Sequence, residues 1–293
     1  MDIGKHDPVT GRTTTGHVWN GIEELETPIP KVVFAFLAAT FVFAVICWVL
    51  YPTWPLGNTY TKGITGFDQR NLVTEQVARA DVERAEAWTG KVESMSYADI
   101  EADAALMQPV RQAGRTLFDD NCAACHGVGG TGGPGFPDLA AKAWLWGGEP
   151  ETIEETIRVG INSTNDDTRT SQMMAFGRDG ILDRAQIENV VAYVRSLSGA
   201  LPAEGNAERI EAGKEVFAEN CVACHGEDAK GSHDVGAPNL TDNSWIYGGD
   251  AQSVYSSVYS GRQGHMPHWD GRLSPLQVKL LALYVHTLES DGK

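Results

Sequence analysis

The stretch NCAACHG, residues 121–127, contains two cysteines separated by two residues and followed at once by a histidine. A second copy, NCVACHG, occupies residues 220–226. Cysteines and a histidine at this spacing could hold zinc, carry out thiol–disulfide exchange or attach a haem group. The surroundings of the two copies decide between these chemistries.

The two copies belong to a longer internal repeat, because three blocks of sequence recur in the same order. Two similar domains are therefore predicted in series, at residues 109–200 and 208–293. The segment 198–208 between them contains the Gly, Pro and Ala of a linker. The matched blocks are 114–127 with 213–226, 138–150 with 239–251, and 183–198 with 274–289.

Both repeats show the same helical pattern and no convincing strand alternation. A helix is predicted over about 150–160 and again over 251–261, and the last helix of each repeat carries one apolar stripe. The fold class is therefore mainly α, and each domain is a small helical shell whose thin core needs a filler. The stripe residues are Ile187, Val190, Val191, Val194 and Leu197 in the first repeat, and Val278, Leu281, Ala282, Val285 and Leu288 in the second.

The motif favours covalent haem attachment over its two rivals. A zinc site needs four ligands close together, whereas these pairs stand in separate repeats. A redox dithiol of the thioredoxin type needs a βαβ context, and none is evident. Two covalently bound haem c groups are therefore predicted. Their thioether bonds come from Cys122 and Cys125 in one repeat and from Cys221 and Cys224 in the other, with His126 and His225 as proximal iron ligands.

The second axial ligand of each iron follows by elimination. Between the first motif and residue 200 there is no histidine, and the only methionines are Met173 and Met174. After the second motif the only methionine is Met266, although nearby histidines keep a bis-histidine alternative open. Aligning MAF with MPH pairs Met173 with Met266, and Met174 remains the alternative. His/Met ligation leaves no open iron site, which favours electron transfer over catalysis.

The repeat makes it natural that each methionine closes over the haem of its own domain, yet nothing in the spacing forbids an exchange between neighbours. Pro137 and Pro238 occupy equivalent places, and a carbonyl there could accept the Nδ1–H of the proximal histidine. Trp144 and Trp245 are expected to wall the haem edges.

Residues 32–51 contain no charged side chain and are long enough to span a bilayer. A cleaved signal peptide fits poorly, because the apolar run is too long and no A-x-A-like site follows it. We predict a cytoplasmic segment at 1–31, a single anchor helix at 32–54 and a periplasmic stalk at 55–108. Covalent haem attachment of this type takes place outside the cytoplasm, so the haem domains are expected in the periplasm, behind a bacterial inner membrane.

The chain is acidic, with a formal net charge of −16. Such a surface disfavours nucleic acid, whose phosphates require basic partners. Three basic and five acidic residues precede the apolar run, so most of the excess acid follows it. An acidic body of this kind suits a basic protein partner.

Together these features resemble the dihaem subunit of the cbb(3)-type haem–copper cytochrome c oxidases. HVWNGIEELETPIPKVVFAFL (17–37) and CWVLYPTWP (47–55) look like that family's membrane segment. SQMMAFG (171–177) and GRQGHMPHW (261–269) look like its two methionine segments.

The resemblance implies a subunit without a catalytic, copper or oxygen site of its own. Such a subunit takes electrons from a basic or membrane-held cytochrome c and passes them to a monohaem subunit. The catalytic subunit then reduces oxygen to water and pumps protons. Two other functions remain open: a free-standing anchored dihaem cytochrome that serves another reductase, and a dihaem peroxidase, which needs an iron able to open a coordination site.

Overall fold

The computed structural model describes residues 4–201 and 204–288, and the chain forms two compact units, residues 1–82 and 83–293. Pro202 and Ala203 of the predicted linker, and residues 289–293 at the end of the second predicted domain, lie outside the described residues. The first unit contains β1 (Thr14–Trp19), β2 (Ile22–Leu25), α1 (Lys31–Leu50), β3 (Pro55–Leu56), β4 (Thr59–Tyr60) and most of α2 (Gln69–Arg84).

The N-terminal segment forms an antiparallel hairpin that the sequence analysis did not predict. Trp19 pairs with Ile22 across a two-residue turn of Asn20 and Gly21, whose φ angles are 52° and 84°. An Asn-Gly pair adopts positive φ with little strain, and its twist matches that of the flanking strands. The dipeptide was therefore the available signal for this hairpin.

Helix α1 corresponds to the predicted membrane span. Within the described part of the chain it is the one helix long and apolar enough to cross a bilayer. At its C-terminal end the rings of Trp48 and Trp54 meet edge to face, with centroids 4.9 Å apart. Aromatic rings of this kind favour the interface between lipid and water.

The second unit contains the repeats, and its helices confirm the predicted ones to within a few residues. Each of its two last helices carries a buried apolar stripe, as expected for a helix packed on a core. Asp183 and Ser274 cap the N-termini of these two helices with capping boxes. A π-helical turn, Ala85–Thr89, and a 3₁₀ turn, Val128–Gly130, are also present. The helices are α3 (Gly90–Ser94), α4 (Tyr97–Ala102), α5 (Ala104–Asn121), α6 (Ala123–His126), α7 (Pro150–Val159), α8 (Arg184–Leu197), α9 (Ala207–Asn220), α10 (Val222–His225), α11 (Ala251–Ser260) and α12 (Pro275–His286).

The last helices of the two repeats are exchanged. Helix α12 of the second repeat packs on α5 and α7 of the first, whereas α8 of the first repeat packs on α9 and α11 of the second. Two separate hydrophobic cores result, which we name core 1 and core 2. Core 1 is built on α5, α7 and α12, and core 2 on α8, α9 and α11. Each core therefore contains helices from both repeats, and the two cores do not correspond to the two sequence repeats.

The predicted stalk does not extend to residue 108. Val92 and Ile100 are fully buried in core 1. The Tyr97 hydroxyl donates a hydrogen bond of 2.6 Å to Glu154 on α7, and the Lys279 ammonium on α12 donates one of 2.6 Å to the Met95 carbonyl. Val92 and Ile100 are separated by charged residues in the sequence, so the sequence did not indicate a buried face in this segment.

The crossing of α5 and α12 depends on a glycine. A Cβ at Gly114 would lie 2.5 Å from the Tyr284 Cβ and 2.8 Å from the Leu280 carbonyl oxygen.

We therefore expect Gly114→Ala to lower the free energy of unfolding by about 1–3 kcal/mol, despite the better helix propensity of alanine. Thermal unfolding of the detergent-solubilised chain measures this change. Gly133→Ala is the control, because a Cβ at Gly133 would meet no atom of the described residues within 4 Å, apart from its chain neighbours. An equal effect of both variants would reject the close crossing.

Candidate haem site

Each attachment motif lies at the end of a long helix. Helix α5 ends at Asn121, and Cys122 links it to the single turn α6, which carries Cys125 and His126. The His126 amide donates a hydrogen bond of 3.0 Å to the Cys122 carbonyl. Both thiols border this turn: the Cys122 side chain is half-buried and the Cys125 side chain is exposed. The second motif repeats this arrangement on α9 and α10.

The histidine of each motif contacts the carbonyl that the sequence analysis considered as its partner. The Nδ1 atom of His126 lies 3.3 Å from the Pro137 carbonyl oxygen, and that of His225 lies 3.1 Å from the Pro238 carbonyl oxygen. A proton on Nδ1 leaves Nε2 with a free lone pair for a metal. Burial lowers the pKa of both imidazoles, outweighing the carbonyl contacts, and so favours the neutral, ligating form.

The thiols do not resemble those of a redox dithiol. Burial, with a smaller contribution from the paired cysteine, raises the pKa of Cys122 and of Cys221 to about 11. Redox-active cysteines have a lowered pKa in an electropositive site. The two motifs also lie in different cores, so they do not form one four-ligand zinc site.

The methionine segments cross between the cores. Met266 of the second repeat packs in core 1 with Cys122, and Met173 of the first repeat packs in core 2 with Cys221. The Met266 backbone exchanges two hydrogen bonds with Ile161, and that of Met173 exchanges two with Arg262. Each methionine thus lies in the core that contains the other repeat's attachment motif.

Two glycines permit this crossing. Gly160 follows α7 with φ +71°, and a Cβ there would lie 2.5 Å from the Met266 carbonyl oxygen. Gly261 follows α11 with φ +70° and approaches the Met173 carbonyl oxygen equally closely. Only glycine combines this φ with such a close backbone approach at low cost.

The alternative ligands differ in exposure. The Met174 side chain is 52% exposed, whereas its neighbour Met173 packs in core 2. His265 and His233 are exposed. His268 is half-buried, and its Nδ1 atom is buried without a hydrogen-bond partner among the described residues, so the bis-histidine alternative to Met266 stays open. Trp144 and Trp245 pack against core 1 and core 2, respectively.

The donor set of each core fits haem c. In each half, one thiol of the motif and the thioether side chain of a crossing segment pack against the same core. The second, exposed thiol and an imidazole whose Nδ1 contacts a carbonyl lie on the adjoining turn. These are the groups that attach a porphyrin through thioethers and ligate its iron on both faces.

Sequence reasoning overlooked two arginines. Arg169 and Arg262 each stand four residues before the methionine of their segment, and their guanidinium groups lie over the rings of Trp146 and Tyr247, respectively. The sequence could have revealed them, because the two arginines are separated by the same number of residues as the two methionines.

Three family models match the chain. The model for the N-terminal domain of cytochrome oxidase-cbb3, FixP, matches residues 11–58. The cytochrome c model matches residues 112–198, and the model for cytochrome c oxidase, cbb3-type, subunit III, matches residues 208–285. These matches confirm the predicted fold class, with cytochrome c domains behind an N-terminal apolar helix.

Full-length relatives agree with the family models. A Cbb3-type cytochrome c oxidase subunit FixP of Bradyrhizobium sp. (strain ORS 278) is 46% identical over 287 residues, which is 98% of each chain. A subunit CcoP of Azospirillum sp. (strain B510) is 43% identical over 290 residues, 96% of this chain and 97% of the relative. A subunit CcoP of Cereibacter sphaeroides is 43% identical over 281 residues, 94% of each.

These matches, with the site geometry, assign haem c binding, membrane anchoring and an electron-transfer role to the chain. The predicted resemblance is confirmed: the chain belongs to the FixP/CcoP family of cbb3-type cytochrome c oxidase subunits.

Proposed function

We propose that the chain is a two-haem electron relay, which accepts electrons from a cytochrome c and passes them to the monohaem and catalytic subunits of its oxidase. One observation carries the proposal. Each of two cores contains one attachment motif and the methionine of one crossing segment, in a chain that is similar over nearly its whole length to oxidase subunits.

The proposed ligands follow the packing and not the order of the repeats. His126 and Met266 would ligate the haem that Cys122 and Cys125 would attach. His225 and Met173 would ligate the haem that Cys221 and Cys224 would attach. The backbone pairing of the two methionine segments supports this exchanged assignment.

Haem c, when bound, takes up and releases one electron without changing its ligands. The residues of the chain keep it in that role. The proline carbonyls favour one tautomer of the imidazoles, and the methionines would supply the second ligand of each iron. With both positions taken, neither site can bind peroxide or oxygen, which disfavours the peroxidase alternative.

The proposed topology follows from the chemistry of attachment. The N-terminus lies in the cytoplasm and α1 crosses the bacterial inner membrane once. The haem-bearing unit, residues 83–293, is periplasmic, because covalent haem attachment of this type occurs there. Its acidic character suits a basic cytochrome c as donor, drawn by charges that salt would screen.

Purification of the tagged chain in mild detergent tests the function. We expect copper and high-spin haem to co-purify, together with reduced-cytochrome oxidation whose rate falls several-fold between low and moderate ionic strength. A chain that carries its own low-spin haems but brings neither copper nor high-spin haem would favour the free-standing cytochrome. An oxidation rate that is flat in salt would reject electrostatic docking of the donor.

A further inference from the structure

The turn of the N-terminal hairpin exposes a group of apolar side chains. We name residues 18–22 the hairpin tip. Trp19 and Ile22 are 71% and 74% exposed, and Val18 beside them is 58% exposed. Trp19 and Ile22 are paired partners on either side of the turn, so their side chains lie together on one face of the hairpin. Neighbouring exposed apolar side chains of this kind mark an interaction surface.

The hairpin tip carries no charge, in contrast to the strand that follows it. Residues 18–22 contain no charged side chain, whereas Glu23, Glu24 and Glu26 come directly after them. The Lys5 ammonium lies 3.9 Å from the Glu23 carboxylate. With this distribution the tip alone can leave water, while the acidic side chains behind it stay hydrated.

A short link joins the hairpin to the helix that spans the membrane. Strand β2 ends at Leu25 and α1 begins at Lys31, and Pro28 and Pro30 restrict the link between them. Six residues reach about 20 Å when fully extended, so the base of the hairpin lies within that distance of the start of α1. The short strands can therefore lie along the bilayer surface.

The N-terminal end of α1 lacks the aromatic anchor that its C-terminal end has. Trp48 and Trp54 lie at the C-terminal end, but residues 20–47 contain neither tryptophan nor tyrosine. Trp19 is the nearest tryptophan on the N-terminal side. Tryptophan is enriched at both interfaces of a membrane, and such anchors help to set the tilt and rotation of a span.

We propose that the hairpin tip inserts into the lipid headgroup layer of the bilayer that α1 spans. The indole of Trp19 suits this layer, because its ring is apolar and its N–H requires a polar partner. Apolar insertion holds the tip, and attraction to anionic headgroups does not, since residues 13–30 contain no lysine or arginine. The inference goes beyond the proposed electron relay, because it rests on the anchoring of α1 and not on the haem groups.

A protein surface fits the hairpin less well than lipid does. In the described residues from 10 to 30, the large exposed apolar side chains are those of the tip and of Ile29 in the link. A subunit bound to the faces of the strands would meet threonine, histidine and glutamate side chains instead. The exposed apolar side chains thus lie at the tip and in the link that leads to the membrane helix.

Photocrosslinking of the full-length chain in phosphatidylcholine vesicles tests the proposal. p-Benzoylphenylalanine in place of Trp19, and separately in place of Ile22, should form phospholipid adducts that mass spectrometry of the hairpin peptide detects. The same group in place of Val9 is the matched control, because Val9 is apolar, is 89% exposed and lies in the turn that precedes β1, at the opposite end of that strand from the tip. We expect a several-fold higher adduct yield at the two tip positions than at Val9. Adding phosphatidylglycerol to the vesicles should not raise this yield.

Phe36, which is 70% exposed on α1, is the positive control for lipid contact. The inference is overturned if Phe36 gives adducts while Trp19 and Ile22 give none, or if Val9 gives the same yield as the tip. Adducts of the tip with another oxidase subunit in native membranes, in place of lipid, would also overturn it. A yield that rises steeply with phosphatidylglycerol would show attraction by charge and reject apolar insertion. Because lipid contact requires no haem, a chain that fails as an electron relay would leave these yields unchanged.

Discussion

Replacing Met266 with histidine should convert the haem attached through Cys122 and Cys125, and leave the haem attached in its own repeat unchanged. Met266 packs in core 1 with Cys122, and its backbone pairs with Ile161 at the end of α7. A histidine there would replace a soft thioether by an imidazole. Because a thioether stabilises ferrous iron, the potential of that one haem should fall by about 0.1 V or more, within the roughly 0.8 V that axial ligands span.

Met173→His should have the reciprocal effect on the haem attached through Cys221 and Cys224. Both variants should still contain two covalent haems, since attachment uses the cysteines and not the methionines. Potentiometric titration with magnetic circular dichroism reads the ligand set and potential of each haem. Removing one attachment pair at a time, by Cys→Ala in that pair, identifies which haem has changed.

Met174→His is the control for this experiment, because the Met174 side chain is half-exposed and stands next to Met173. It should leave both ligand sets as they are. Conversion of the haem in the same repeat as each mutated methionine would reject the exchanged assignment. Conversion by Met174→His, with Met173→His silent, would show that Met174 is the ligand.

The sequence was sufficient to predict the structural features that depend on residues close together in the chain. Each motif forms a single helical turn at the end of a long helix, and the Pro137 and Pro238 carbonyls contact the imidazoles of His126 and His225, one of the two possibilities that the sequence left open. The last helix of each repeat follows from its apolar spacing alone. Such features require only residues that are near one another along the chain.

The exchange of α8 and α12 could not be derived in the same way. Both helices carry the same apolar stripe, so either could cover α5 or α9, and the pattern does not distinguish them. The connection between helices does distinguish them, since α8 ends at Leu197 and α9 begins at Ala207, after a short link. Helices joined by short links tend to pack together, which favours α8 on α9 and leaves α5 for α12.

The same reasoning explains the buried part of the predicted stalk. Val92 and Ile100 stand among Glu, Lys and Asp residues, so composition indicated a solvated helix. Their burial depends on α12, which lies almost two hundred residues later in the chain. Tertiary contacts at that separation leave no local trace in the sequence.

A buried charge in either exchanged helix should remove haem from the opposite repeat. Leu281 and Val190 occupy matching positions in α12 and α8, and they are 0% and 1% exposed in core 1 and core 2, respectively. An unpaired carboxylate at such a site costs several kcal/mol, comparable with the whole stability of a small domain, about 5–15 kcal/mol. Leu281→Asp should therefore unfold the surroundings of Cys122 and Cys125, and Val190→Asp those of Cys221 and Cys224.

Mass spectrometry of proteolytic peptides counts the haem on each cysteine pair. We expect Leu281→Asp to deplete the first pair while the second stays loaded, and Val190→Asp to give the opposite result. Ala185→Asp is the control, because Ala185 lies exposed in the first turn of α8, where an acid is tolerated or favourable. If both pairs lose haem together, the milder Leu281→Ala and Val190→Ala should reveal which core weakens first, at a cost of about 2–5 kcal/mol for the leucine. Depletion of the second pair by Leu281→Asp would mean that each repeat packs on itself, and the two cores would have to be redrawn along the sequence.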